Sequence, residues 1–148
     1  MYDIRELYQQ LIIDHSKNPK NFTVLKDANR SAEGDNPLCG DKVTIYLKLE
    51  DDVIRDISFQ GSGCAISKAS TSIMTTRLKG KTVEEFQTFF NIFHQMVTTG
   101  KTDSIVLGKL AALSGVHQYP VRVKCATLAW HTVKNALEDG AKKIATTE

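Results

Sequence analysis

No apolar run in the sequence is longer than the four residues Leu110 to Leu113, whereas a membrane-spanning helix needs about 20. A strong net charge is also missing. Lys and Arg number 19 against 17 Asp and Glu, leaving +2, too little to hold nucleic acid electrostatically. There is no Cys-x-x-Cys knuckle and no pair of histidines at ligand spacing, which excludes a zinc finger and a two-histidine helical site. The three cysteines are an odd number, so they cannot form a complete disulfide set, and they suit a reducing compartment. The opening Met-Tyr-Asp-Ile-Arg-Glu carries acids where a signal peptide would be basic and then apolar, so a cytoplasmic location is expected.

What remains is an ordinary globular composition: 148 residues, 41% hydrophobic and 24% charged, the size of one domain. Charge is uneven, −3 over residues 1–60 and +5 over 61–148, which suits docking to another protein better than binding phosphate. Asp3-x-x-Glu6 reads as a capping box ahead of Ile4, Leu7, Tyr8, Leu11 and Ile12 at helical spacing, with the helix ending near Asp14–His15 before Asn18-Pro19. Extended segments are expected around Thr23–Lys26 and Arg30–Gly34. Val43, Ile45, Leu47 and Leu49 alternate with polar residues, Asp51-Asp52 turns the chain, and Val53–Gln60 returns as the second strand of an antiparallel hairpin.

After Gly61-Ser62-Gly63 the period becomes helical, with Ile66, Ala69, Ile73 and Met74 as an apolar face running to about Leu78. Thr82-x-x-Glu85 caps a third helix with Val83, Phe86, Phe90, Phe93 and Val97 inward. A polar linker, a short helix carrying Leu107, Leu110, Ala111 and Ser114, and a last helix from Pro120 to about Gly140 follow. The tail Ala141–Glu148 is expected to fray. The predicted class is α+β: a small antiparallel sheet packed against several helices, one domain over residues 1–148.

Each cysteine stands at a junction. Cys39 lies in the turn Asn36-Pro37-Leu38-Cys39-Gly40-Asp41, just before a strand. Cys64 follows Gly61-Ser62-Gly63 at a helix start, where free N–H groups favour a thiolate. Cys125 lies in the first turns of the last helix with Arg122 three residues before it, a cation expected to ease ionisation. The three thiols are therefore read as sharing settings that favour the thiolate. Their spacing, Cys39-x24-Cys64-x60-Cys125, means that any metal site must be assembled by the fold. Zinc takes four ligands, and Asp41, two residues from Cys39, is the nearest candidate for the fourth. His15, His94, His117 and His131 pair with no cysteine in sequence and read as surface, cap or core residues.

Taken together, Asn36-Pro37-x-Cys39-Gly40-Asp41, Gly61-x-Gly63-Cys64-Ala65-Ile66-Ser67 and Arg122-Val123-Lys124-Cys125-Ala126-Thr127-Leu128 resemble the U-type iron–sulfur cluster assembly proteins, the group of IscU, the NifU N-terminal part and SufU. The resemblance runs from Leu7–Tyr8 to about Leu137 and is nearer the zinc-binding SufU branch. Lys124 stands where IscU-type proteins have a histidine, Gln118-Tyr119-Pro120-Val121-Arg122 replaces their Leu-Pro-Pro-Val-Lys, and the interval between the second and third cysteines is longer.

The resemblance implies a SufE/NifU-like fold, zinc held by Cys39, Asp41, Cys64 and Cys125, and sulfur relayed from a cysteine desulfurase, a pyridoxal-phosphate enzyme of SufS type, to downstream cluster-assembly proteins. Cys39 is the expected sulfur acceptor, because its Gly- and Pro-framed turn can move whereas Cys125 is embedded in a helix. Arg122 is a candidate contact to the thiolates or to a partner carboxylate. The alternative it leaves open is a scaffold holding iron or a transient 2Fe–2S cluster on Cys39, Cys64 and Cys125. A third class, a cysteine hydrolase using Cys64 or Cys125 with a histidine, would need one reactive thiol and no metal.

Overall fold

The computed structural model describes residues 4–139 and 144–146. Helix α1 (Ile4–Lys17) leads into strands β1 (Arg30–Asn36), β2 (Asp41–Glu50) and β3 (Val53–Ser62). Helices α2 (Ala65–Leu78), α3 (Val83–Thr99) and α4 (Ser104–Leu107) follow, then a 3-10 segment Gly108–Gln118, α5 (Pro120–Asp139) and β4 (Ile144–Thr146). The sheet order is β3-β2-β1-β4, with the first three strands antiparallel. The α+β expectation holds.

Strand parity sets which residues reach the site. Asp41, Val43, Ile45 and Leu47 of β2 alternate inward and are buried, as are Ala32, Gly34 and Asn36 of β1. The β2–β3 turn is the expected Asp51-Asp52, both in the left-handed region at φ 52° and 61°, a pairing whose twist matches the strands. Helix α5 lies across the inner face. A Cβ on Gly34 would collide with Thr132 Oγ1 and come within 3.1 Å of Leu128 Cδ1, so the glycine permits the close approach of α5 to β1.

The core joins Ile45, Leu47, Ile57 and Phe59 of the sheet to Ile73, Met74 and Leu78 of α2, the Phe86–Phe93 face of α3 and Trp130 of α5. Trp130 stacks on Phe93 at 4.4 Å between centroids, and its indole N–H donates to Ser70 Oγ at 3.3 Å. The capping box on α3 is formed as read, with Thr82 and Glu85 satisfying each other's backbone N–H groups.

Several expectations need correction. Helix α2 buries more than an apolar stripe: Ser67, Ser70, Thr71, Ser72 and Thr75 are also inside. Thr71 and Thr75 return their hydroxyls to the carbonyls of Ser67 and Ser72, which removes the cost of burying them and leaves a slim helix that α1 and α5 can flank. In α1 the first apolar residues face solvent, Ile4 at 58% and Leu7 at 49% exposure, because the helix lies against α2 and the 3-10 segment rather than under the sheet.

Thr23–Lys26 is not a strand; the extended contact is one residue earlier, where Phe22 bridges to Phe59 and meets its ring edge-on at 5.1 Å. The expected short helix is mostly 3-10, still burying Leu107, Leu110 and Ala111. Ile144–Thr146, within the tail expected to fray, pairs in parallel with Glu33–Asp35 as β4. The remainder of that tail, and Asp3 of the expected first capping box, lie outside the described residues.

His15 ties α1 down. It is 8% exposed, and its Nδ1 lies 2.7 Å from Ser72 Oγ, which accepts the Lys20 N–H at 2.7 Å. Ser72 thus has its own proton to donate to a neutral imidazole. Burial holds the His15 pKa below its ordinary 6.5, Lys109 and Lys20 push the same way, and Asp14 opposes them. As pH falls the unfolded chain takes up the proton first, so this contribution to stability is complete above pH 6.5 and is lost below it. The denaturant midpoint is expected to fall on acidification through pH 6.5, and His15→Gln should flatten that decline to the part contributed by His131, whose pKa burial also lowers. An unchanged decline in the variant would remove His15 as its source.

Candidate metal centre

Three chain segments converge at the end of the sheet where the β1–β2 turn, the start of α2 and the first turns of α5 meet. The turn Pro37–Gly40 closes on the strand pair Asn36–Asp41, with the Cys39 N–H donating to Asn36 O at 3.2 Å. Gly40 holds φ +70° in open space, so its requirement is conformational rather than steric. The turn presents Cys39 half-buried.

Asp41 follows at an inward position of β2 and is fully buried. Among the described residues no lysine or arginine pairs with it. One carboxylate oxygen accepts the Cys64 backbone N–H at 2.8 Å, and the Cys64 thiol lies 3.9 Å from the other. β3 ends opposite Lys42, which carries the following Gly63-Cys64 alongside Asp41. Gly63 is needed for this approach, since a Cβ there would stand 2.5 Å from Asp41 Oδ1. Cys64 is the N-cap of α2, its sulfur accepting the Ser67 N–H at 3.4 Å in the place where serine or aspartate commonly sits.

Cys125 comes down from α5, 1% exposed, and its thiol lies 3.3 Å from Cys39 Sγ. Donor atoms of Cys39, Asp41 and Cys125 all lie within 4.8 Å of one another, and Cys64 joins them through Asp41. Zinc–sulfur bonds of about 2.3 Å at tetrahedral angles put sulfurs about 3.8 Å apart. The Cys39–Cys125 sulfur pair at 3.3 Å lies near that spacing, the Cys64 sulfur stands 3.9 Å from an Asp41 oxygen where a tetrahedral zinc would set about 3.5 Å, and three thiols with one carboxylate are a donor set that zinc accepts. The residues present fit the ion.

One electrostatic expectation fails. Burial pushes the Cys125 thiol pKa well up, and hydrogen bonds with Cys39, Asp41 and Cys64 raise it further. Arg122, expected to help, is exposed on the first turn of α5, and its side chain makes no hydrogen bond or ion pair among the described residues. Desolvation therefore outweighs the helix position, and a bound metal is what would keep this sulfur a thiolate.

The other sequence candidates fall away from the centre. His15 faces Ser72, His117 faces Ser114 O at 2.7 Å, and His94 and His131 pack around Phe90. Among the described residues no histidine contacts Cys64 or Cys125, so the cysteine-hydrolase reading finds no histidine base beside either thiol. Asn36 was missed as a site residue. It is fully buried, its Nδ2 donates toward Cys125 Sγ at 3.8 Å, and the inward alternation Ala32-x-Gly34-x-Asn36 was the available signal.

The family model for the NifU-like N-terminal domain matches residues 7–126. The zinc-dependent sulfurtransferase SufU of Bacillus subtilis is 46% identical over 139 residues, 93% of this chain and 90% of that protein. The iron–sulfur cluster assembly scaffold protein IscU of Thermotoga maritima is 40% identical over 132 residues, 89% of this chain and 93% of that protein. The crystal structure described as an iron–sulfur cluster assembly scaffold protein for the SUF system (FiSufU), from Fervidobacterium islandicum, superposes with a TM-score of 0.83 at 38% identity, covering 92% of this chain and all of that one.

Proposed function

From the premise that the chain belongs to the NifU-like N-terminal domain family, we propose that it serves iron–sulfur cluster assembly as a zinc-bound sulfur acceptor, with Cys39, Asp41, Cys64 and Cys125 as ligands. The observation that carries this reading is the convergence of three thiols on a fully buried carboxylate that has no cationic partner among the described residues. Zinc bound there would keep the thiols deprotonated and shielded from oxidation.

The partner is a cysteine desulfurase carrying a persulfide. The Cys39 thiolate attacks the outer sulfur, the bond between that sulfur and the partner's cysteine breaks, and the partner's cysteine leaves as a thiolate with the electron pair. Cys39 then carries the persulfide to a downstream assembly protein. Cys39 suits the task because its four-residue turn can move without unwinding an element, whereas Cys64 caps α2 and Cys125 is buried inside α5. Leu38 at 65%, Tyr119 at 60% and Val121 at 53% exposure flank the centre in sequence and offer apolar surface to the partner.

The likeness to IscU favours a second reading, a scaffold that builds a 2Fe–2S cluster on the same cysteines. Anaerobic incubation with desulfurase, cysteine and iron separates the two. A sulfur acceptor retains zinc and gains a persulfide, while a scaffold gains cluster absorbance with matching iron and loses zinc. The second result would overturn the reading preferred here. No helix among the described residues is long and apolar enough to cross a membrane.

A further inference from the structure

Asn36 makes two attachments to the centre at once. Its backbone carbonyl accepts the Cys39 N–H at 3.2 Å, and its side-chain Nδ2 donates toward Cys125 Sγ at 3.8 Å. The side chain is fully buried, and its Oδ1 has no hydrogen-bond partner among the described residues. A buried amide oxygen left unpaired works against folding, and an apolar side chain of similar shape would serve the core better. What only the amide supplies at this position is an N–H aimed at sulfur.

We infer that Asn36 is a positioning residue of the metal centre, whose amide N–H donates to the ligated Cys125 sulfur and holds it toward Cys39 and Asp41. The inference rests on the four-ligand reading above. A donor to a metal-bound thiolate withdraws charge from the sulfur, stabilises the deprotonated ligand and fixes its direction, as outer hydrogen bonds do for ligands generally. Asn36 and Asp41 are directly paired across β1 and β2, so the same register that buries the carboxylate ligand places this donor beside the thiolate ligand. Through its carbonyl the residue also closes the turn that carries Cys39, so Asn36 is tied to both cysteines of the 3.3 Å pair, to the sulfur of one and the backbone N–H of the other.

The test compares wild-type protein with Asn36→Leu and Asn36→Asp. Leucine removes both the N–H and the unpaired oxygen, and aspartate keeps the shape while turning the donor into an acceptor facing sulfur. Three measurements are made: zinc affinity by chelator competition, the sulfur-to-metal charge-transfer band of the cobalt(II)-substituted proteins, and melting of the metal-free proteins. Zinc affinity is expected to fall about 10- to 100-fold in Asn36→Leu and further in Asn36→Asp. The charge-transfer band should move to lower energy as the sulfur regains electron density. Metal-free Asn36→Leu should melt no lower than metal-free wild type.

Affinity and band position unchanged in both variants, with wild type binding zinc normally, would overturn the role of Asn36 and leave the four-ligand site standing. Failure of wild type itself to bind zinc or cobalt would overturn both. A metal-free Asn36→Leu protein that melts well below wild type, with its band unmoved, would assign the residue to the fold instead.

Discussion

Stripping the metal from this protein is expected to lower its melting temperature on the order of 10 °C. Cys39 and Asp41 lie at the β1–β2 turn, Cys64 caps α2 and Cys125 lies in α5, so one ion would clamp three segments distant in sequence. A ligand that binds only the folded state at about a thousand times its Kd stabilises it by about 4 kcal/mol. For a chain of this size each kcal/mol moves the melting temperature by roughly 2–4 °C. The fold should survive the loss, because the core that joins Trp130, Phe93 and Ile45 contains none of the four proposed ligands. Asp41→Ala removes a proposed ligand and the acceptor of the Cys64 N–H together. Added zinc should then raise the melting temperature far less than in wild type. Coincident melting curves for zinc-loaded and verified metal-free wild type would show that the site is peripheral to stability.

Cys39→Ser should all but abolish sulfur acceptance from a cysteine desulfurase, the larger effect on function. Every cysteine is a proposed ligand, so metal loss alone cannot identify the acceptor. The assay therefore maps labelled persulfide by mass spectrometry in variants whose zinc content has been measured. Transfer requires a thiolate that can leave the metal and reach a partner's persulfide. Cys125 is 1% exposed with its thiol pKa raised by burial, and Cys64 accepts the Ser67 N–H as the cap of α2. Only Cys39 sits in a turn that can swing without breaking a helix. Sulfur found mainly on Cys125, or a zinc-retaining Cys39→Ser protein that accepts sulfur at the wild-type rate, would move the role to Cys125.

The site was largely legible because its parts are marked by unusual local chemistry. A cysteine at a helix N-cap after Gly-Ser-Gly, and a cysteine in a Pro- and Gly-bounded turn two residues from an aspartate, are poor choices for packing alone. The strand alternation also contained Asp41, whose parity with Val43, Ile45 and Leu47 puts a carboxylate on the buried face. Asn36 escaped notice because Gly34 interrupts the hydrophobic signal of β1, and the role of Gly34 emerges only once α5 is laid on the sheet.

Elsewhere the failures have a shared cause. Periodicity in α2 marks only the apolar face of Ile66, Ala69, Ile73 and Met74, and nothing local reveals that two helices flank the serines and threonines or that hydroxyls such as those of Thr71 and Thr75 return to the helix carbonyls. The parallel pairing of Ile144–Thr146 with β1 spans more than a hundred residues, beyond the reach of periodicity. Arg122 was placed near Cys125 by spacing, but exposure and burial separate the two side chains. Desolvation is a tertiary property, and it reversed the expected ionisation of Cys125.

The claim on which the account depends is that one zinc ion is held by three thiolates and one carboxylate drawn from Cys39, Asp41, Cys64 and Cys125. Zinc K-edge X-ray absorption on protein isolated without added metal reads that ligand set directly. One zinc per chain is expected, with three sulfur neighbours at about 2.3 Å and one oxygen at about 2.0–2.2 Å. In Asp41→Cys the oxygen should be replaced by a fourth sulfur. A shell containing imidazole nitrogen, or fewer than three sulfurs in the fully loaded protein, would contradict that claim.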